Sequence, residues 1–167
     1  MSSLWDMPGV PHKGWTCQGV EDVRVDGETP EEAYYRVCEM CGKERIRFVH
    51  TMAHPGFDRE LRVGCVCAER MSDDYTAPKV RERELRNRSA RRAKWLARKW
   101  KTLRKGLPWL QAGDFHIVVY SENVTQNRFR LCINQKRGQR TYGSEEAAKL
   151  AGFDAIEKMK QRRRRAS

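Results

Sequence analysis

Two periodicities divide the chain. In the runs Arg45-Ile46-Arg47-Phe48-Val49 and Glu60-Leu61-Arg62-Val63, separated by the turn residues Pro55-Gly56, apolar and polar positions alternate. A period of two is the mark of half-buried strands, so this region predicts a hairpin. From Pro78 onward the spacing changes to three and four. Leu85, Ser89, Ala93, Leu96, Trp100 and Leu103 form a narrow stripe, Pro78 suits a first helical turn, and Gly106 with Pro108 closes the pattern. A helix over 78–106 is predicted, about 40 Å long at 1.5 Å per residue. Strand character returns at 115–120, and at 128–134, where Phe129, Leu131 and Ile133 share one face and Arg128, Arg130, Cys132 and Asn134 the other. Arg137-Gly138 predicts a turn into a third strand over 139–142. Ser144 then stands as the N-cap of a last helix with Glu145 and Glu146 in its first turn. Ala148, Ala151, Ala155, Ile156 and Met159 are expected to face the sheet, with Gly152 permitting close approach.

Cysteines punctuate the first region. Cys38 and Cys41 stand as Cys-Glu-Met-Cys-Gly before the predicted hairpin, and Cys65 and Cys67 as Gly-Cys-Val-Cys after it. A hairpin brings two such pairs together, and four thiolates satisfy the tetrahedral preference of zinc. The spacing points to one structural Zn2+ site of Cys38, Cys41, Cys65 and Cys67, with no position left for water or substrate. Two disulfides are the alternative. They need an oxidising compartment, and the start Met-Ser-Ser-Leu-Trp-Asp lacks the basic and apolar regions of a signal peptide. Cys17 stands alone and reads as a buried free thiol. Trp5 and Trp15 are expected to pack against the zinc module. Asp26-Gly27 signals a turn, and Thr29-Pro30-Glu31-Glu32 a short helix capped by Thr29.

The 167 residues carry a net charge of +12, and its placement matters more than its size. Residues 79–105 hold 13 Lys/Arg against 2 Glu, and residues 160–167 hold five and no acid, whereas residues 1–78 hold 9 basic and 14 acidic residues. Solvated helix faces mix signs at i, i+4. This one concentrates a single sign, a repulsion that a polyanion relieves. Arg81, Arg88, Arg91, Arg92, Lys94, Arg98, Lys99 and Lys101 are the candidate phosphate contacts. No apolar run approaches membrane-spanning length, and the stripe is too thin for anchoring on a lipid surface. A cytoplasmic protein without a membrane partner is therefore expected. Hydrophobic residues make up 39% of the chain, leaving a small core that a metal supplements near the N-terminus.

Knuckle, hairpin and helix start in that order resemble a treble-clef zinc finger, whose second pair is usually Cys-x-x-Cys where this chain has Cys-x-Cys. Through Tyr142-Gly143-Ser144-Glu145-Glu146-Ala147-Ala148-Lys149 and Phe153-Asp154-Ala155-Ile156, the third region resembles the small DNA-binding domain shared by plant ethylene-response factors and phage integrase arms. That resemblance implies a sheet entering the DNA major groove, with Arg128, Arg130, Lys136, Arg137 and Arg140 contacting phosphate or base edges. The order helix, three strands, helix also resembles a double-stranded-RNA-binding domain. Glu145 and Glu146, however, stand where that family carries phosphate-gripping lysines, which ranks duplex DNA above RNA. Over most of its length, on Gly14-Trp15-Thr16-Cys17, Ile46-Arg47-Phe48-Val49-His50 and Val63-Gly64-Cys65-Val66-Cys67, the chain resembles uncharacterised zinc-ribbon proteins of bacterial and phage genomes. That likeness implies a bacterial or phage setting.

The expected fold class is α+β. It comprises a small treble-clef-like zinc module over 1–77, a long basic connecting helix over 78–106, a three-stranded antiparallel sheet packed on one helix over 107–159, and a disordered basic tail over 160–167. The expected function is non-enzymatic binding of nucleic acid, duplex DNA first, through the basic helix and the C-terminal sheet. The sequence carries no Gly-rich phosphate loop, no Ser/Cys–His nucleophile pairing and no paired-carboxylate signature. Two alternatives stand beside it. His50 and His54, at i and i+4, suit an HNH-like metal-dependent nuclease, although Pro55 disfavours helix at His54 and hydrogen-bonding loop histidines are the favoured reading. The other is an adaptor that docks a protein partner through the zinc module while its basic parts hold RNA or DNA.

Overall fold

The computed structural model describes residues 3–24, 28–123 and 127–166, so the predicted Asp26-Gly27 turn lies outside the described residues. The architecture is α+β in two compact units, Met1–Ala90 and Arg91–Ser167. Each is built on an antiparallel sheet, of three strands in the first and five in the second.

In the first unit, β1 (Thr16–Asp22), β2 (Phe48–Ala53) and β3 (Leu61–Val63) lie side by side in that order. The predicted hairpin is present, but its first strand begins at Phe48 rather than Arg45. Arg45 takes a left-handed φ of 59°, and Ile46 pairs instead with Arg36 in an isolated bridge. β1 has no counterpart among the predicted strands. It pairs along β2 with Val20 opposite His50, which makes β2 the central strand and buries Val49, His50 and Met52 completely. Residues 29–33 form a single turn, not a helix, closed by the amides of Glu32 and Ala33 donating to the Thr29 carbonyl. Helix α1 (Cys65–Ser72) follows Gly64 and stops at Asp73, which adopts the left-handed conformation with φ 57°. Trp15, Met40, Met52, Leu61, Val63, Ala68 and Met71 form the core, with Trp5 packed at its edge. Both tryptophans therefore sit where the sequence places them.

Helix α2 (Ala77–Ala93) starts on Asp74, whose Oδ1 accepts from the Thr76 and Ala77 amides at 2.9 Å each. It ends far short of the predicted 106. After Ala93 the chain turns, with the Trp95 amide donating to Arg92 O at 3.0 Å, and continues into a short strand. The cause is Trp95. Its ring packs edge-on against Trp100 and Phe153, and its Nε1 donates to Lys149 O at 2.7 Å. Burying a tryptophan is worth roughly 4 kcal/mol, whereas each residue of helix propensity is worth a few tenths. A helix that buries only Pro78 offers nothing to oppose that gain.

The second unit has β4 (Lys101–Thr102), β5 (Pro108–Ala112), β6 (Phe115–Asn123), β7 (Arg128–Ile133) and β8 (Lys136–Arg137) in meander order. This corrects the predicted three-stranded sheet. β4 and β5 come from the end of the expected helix and its exit. The turn after β7 falls on Asn134 and Gln135, both left-handed with φ of 48° and 66°, which puts β8 at 136–137 instead of 139–142. Tyr142 still meets Phe129 through a bridge. Helix α3 (Glu145–Ala166) packs on the face carrying Leu110, Ile117, Val119, Leu131 and Ile133. Ser144 caps it as expected, its Oγ accepting from the Ala147 amide at 3.0 Å. Ala148 and Ile156 face the sheet, joined by Phe153, while Met159 is exposed. The basic tail continues α3 rather than being disordered. Its Lys and Arg residues are good helix formers that favour the negative C-terminal end of the dipole, and Lys160 pairs with Glu157 at 3.2 Å.

Two substitutions test this packing in urea titrations. Trp95→Ala is expected to cost about 3–5 kcal/mol in the second unit. At Gly152, inside α3, an added Cβ meets Ile117 Cγ2 at 3.4 Å and Leu131 Cδ2 at 3.6 Å, which is ordinary contact. Gly152→Ala is therefore expected to stabilise by about 0.5–1 kcal/mol.

Candidate metal centre

The knuckle is built from backbone geometry. Gly42 adopts φ 74°, a left-handed value that glycine takes without strain. Its amide donates to Cys38 O at 2.8 Å while the Cys38 amide donates to Lys43 O at 2.8 Å. The resulting turn aims Cys38 and Cys41 at the start of α1, where Cys67 enters. The three sulfurs lie within 4.8 Å of one another. The Gly64 amide donates to Cys38 Sγ at 3.4 Å. Donation from the Cys67 thiol, reinforced by the Gly64, Cys41 and Met40 amides, brings Cys38 down to about 5 against the opposing effect of burial. Cys67 moves the other way, its proton held by Cys38 and by burial. A thiol biased toward thiolate, amides aimed at it and further sulfurs within reach suit a soft divalent cation. The cluster can hold a metal through Cys38, Cys41 and Cys67.

Cys65, expected as the fourth ligand, stands outside this group. Residues two apart on a helix point about 200° away from each other, so Cys65 and Cys67, at the first and third positions of α1, face different ways. Cys65 Sγ, a nitrogen of His50 and a carboxylate oxygen of Glu82 form a second group, again with all atoms within 4.8 Å. Burial, followed by Glu82 and Glu69, pushes the Cys65 thiol up to about 12. Its sulfur lies 3.5 Å from Glu69 Oε1, which Lys79 holds at 3.1 Å. Neither glutamate was anticipated. Each carries a signal nonetheless: Glu69 follows Cys65 by four residues on the same helix face, and Glu82 is one of two acids in a cationic run.

The two histidines do not share a site. His50 is fully buried in β2, not in a loop, with Nε2 3.2 Å from Glu82 Oε1. His54 Nδ1 accepts from the Gly56 amide at 2.9 Å, and its ring lies against Trp15. A histidine without solvent access does not reach a phosphodiester, which removes His50 as the general base of a nuclease, while His54 is half-buried and engaged with the Gly56 amide and Trp15.

The candidate nucleic-acid residues are dispersed. Arg81, Arg88, Arg91 and Arg92 are on α2, Lys94, Arg98 and Lys99 in the turn that follows, Lys101 on β4, Arg128 and Arg130 on β7, Lys136 and Arg137 on β8, and Arg140 beyond it. Several of them are engaged within the protein. Arg91 pairs with Glu157 at 2.7 Å, Arg92 with Asp154 at 3.2 Å and Arg130 with Glu122 at 2.9 Å.

No protein-family model, curated protein or solved structure matches this chain.

If the three sulfurs hold a metal, a strong chelator is expected to raise alkylation of Cys38, Cys41 and Cys67 together, while Cys132, in the other unit, reacts at an unchanged rate. Peptide-mapped mass spectrometry reads this directly. Cys38→Ser is expected to weaken metal uptake at the cluster by more than about 100-fold, since loss of a ligand exceeds the effect of losing its outer partners.

Proposed function

We propose that this chain is a non-enzymatic, zinc-containing protein that binds nucleic acid, with duplex DNA as its principal target. One observation carries the reading. Lys94, Arg98, Lys99 and Lys101 lead into the C-terminal sheet, Arg128, Lys136, Arg137 and Arg140 lie on or beside its last strands, and all eight are exposed. Among the described residues no ion pair engages them, in contrast to Arg91, Arg92 and Arg130. Cations left unneutralised beside one another repel, and phosphates relieve that repulsion with release of counterions. The metal assigned to Cys38, Cys41 and Cys67 is zinc in a structural role, since sulfur donors of this kind select it. It maintains the knuckle and takes no part in contacts to the polyanion.

A second reading, single-stranded nucleic acid, is favoured by the sheet face opposite α3. Trp109, His116 and Tyr120 stand there, paired across strands with Val118, Gln111 and Arg130. Lys101 Nζ lies 5.0 Å from the Trp109 ring centre, Arg137 lies 5.5 Å from that of Tyr120, and the Trp109 and His116 rings are 5.1 Å apart. Aromatic rings beside cations form platforms on which bases stack, worth about 1–3 kcal/mol per base.

Fluorescence anisotropy with duplex DNA, duplex RNA and single strands of equal length, across a salt series, separates the readings. Duplex DNA is expected to bind tightest, with log affinity falling by about 0.9 per phosphate neutralised for each decade of salt. Reversing Lys94, Arg98, Lys99 and Lys101 to glutamate is expected to weaken binding at least about tenfold on every ligand. Equal binding of all ligands, collapsing together with salt, sinks the duplex preference. A single-strand preference abolished by Trp109→Ala and Tyr120→Ala establishes the stacking surface in its place.

A further inference from the structure

We infer that the first unit contains a second divalent-metal site, formed by His50, Cys65 and Glu82 with Glu69 beside Cys65, separate from the three-thiol cluster. The ligands come from three elements that the fold brings to one point: the central strand β2, the first turn of α1 and the first half of α2. A tetrahedral zinc with bonds of about 2.0–2.3 Å holds its ligand atoms about 3.3–3.8 Å apart. His50 Nε2 and Glu82 Oε1 are 3.2 Å apart, and Cys65 Sγ and Glu69 Oε1 are 3.5 Å apart. The atoms of His50, Cys65 and Glu82 all lie within 4.8 Å of one another, so shifts of about an ångström bring three protein donors to bonding geometry, the open-site count of three ligands plus one further position.

Two further observations point to a cation there. Glu69 is 5% exposed and His50 0%, so the group is not a solvated surface cluster. Two carboxylates converge on a thiol, and Lys79 on Glu69 is the single lysine or arginine that an ion pair brings to them among the described residues. Burying that much negative charge without compensation is costly, and a divalent cation supplies what one exposed lysine does not. The ligand set is mixed imidazole, thiolate and carboxylate, which suits Zn2+ and accepts Co2+ as a probe. Such a site also explains how α2 is retained. Only Pro78 of that helix is buried, and Glu82 would tie it to β2 and α1 through the metal.

The test is the metal content of the full chain purified with Zn2+, by elemental analysis against amino-acid quantification. Two Zn2+ per chain are expected, falling to one in Cys65→Ser and in Glu82→Gln. Glu82→Gln keeps the size and the hydrogen bond of the glutamate, so far-ultraviolet circular dichroism like that of the parent separates metal loss from misfolding. In the Co2+-loaded chain, Glu82→Gln is expected to remove the weaker absorption of a one-thiolate centre and to spare the strong charge-transfer bands of the three-thiol centre. A single metal in the parent chain that Glu82→Gln leaves in place but Cys65→Ser weakens overturns the proposal, because it makes Cys65 the fourth ligand of the first centre. Two metals retained in both variants overturn it as well.

Discussion

The three sulfurs of Cys38, Cys41 and Cys67 join the two ends of the hairpin in the N-terminal unit, and the rest of that unit depends on the junction. Its core is thin. Four of the side chains closed around β2 and α1 are Met40, Met52, Met71 and Trp15, and flexible methionines specify packing weakly. The Cys67 thiol is aimed at Cys38, which favours the charged form of the latter, and a bound metal would fix the three ligands in direction as well as distance. The knuckle turn at Gly42 and the N-terminus of α1 at Gly64 are both shaped to deliver sulfur to this point, so backbone, core and donor chemistry agree.

The second constraint is electrostatic. A run of cations on one helix would carry its repulsion with it, and the fold disposes of that charge in two ways. Arg91 and Arg92 are neutralised by Glu157 and Asp154 of α3, which turns a liability into a link between α2's last turn and the C-terminal helix. The chain then leaves the helix altogether after Ala93, distributing Lys94, Arg98 and Lys99 over a series of turns and Lys101 on β4. Ion pairs of this exposure contribute modestly. What decides the geometry is Trp95, whose burial outweighs the helical preference of its neighbours. Of the cations outside ion pairs, Arg98 lies over the Trp95 ring, and Lys101 and Arg137 lie beside Trp109 and Tyr120 of the sheet.

Much of this was legible in the sequence where the determinant was local. Alternation located β3 and β7 and composition located β6, Ser144 marked the start of α3, and the Cys-x-x-Cys-Gly knuckle marked a cluster that can hold a metal. Strands whose identity depends on a partner were not legible. β1 is a run of mixed polarity that becomes a strand because β2 lies beside it, and β4 and β5 exist because Trp95 folds the chain back. The basic tail was misjudged for a related reason: composition alone suggested disorder, while continuity with a capped, packed helix carries the ordered backbone on to Ala166.

The sequence by itself determined that sulfur and positive charge are the two chemistries of this protein, because ligand spacing and charge density are properties of neighbouring residues. Only the tertiary structure decided how they are apportioned. Two cysteines separated by one residue look like a pair on paper, but the start of α1 turns them to different sides, one toward the knuckle and one toward His50 and Glu82. Thirteen cations look like one surface until acids far along the chain claim some of them. Angles around a helix and partners tens of residues away are set by packing, and no local pattern encodes them.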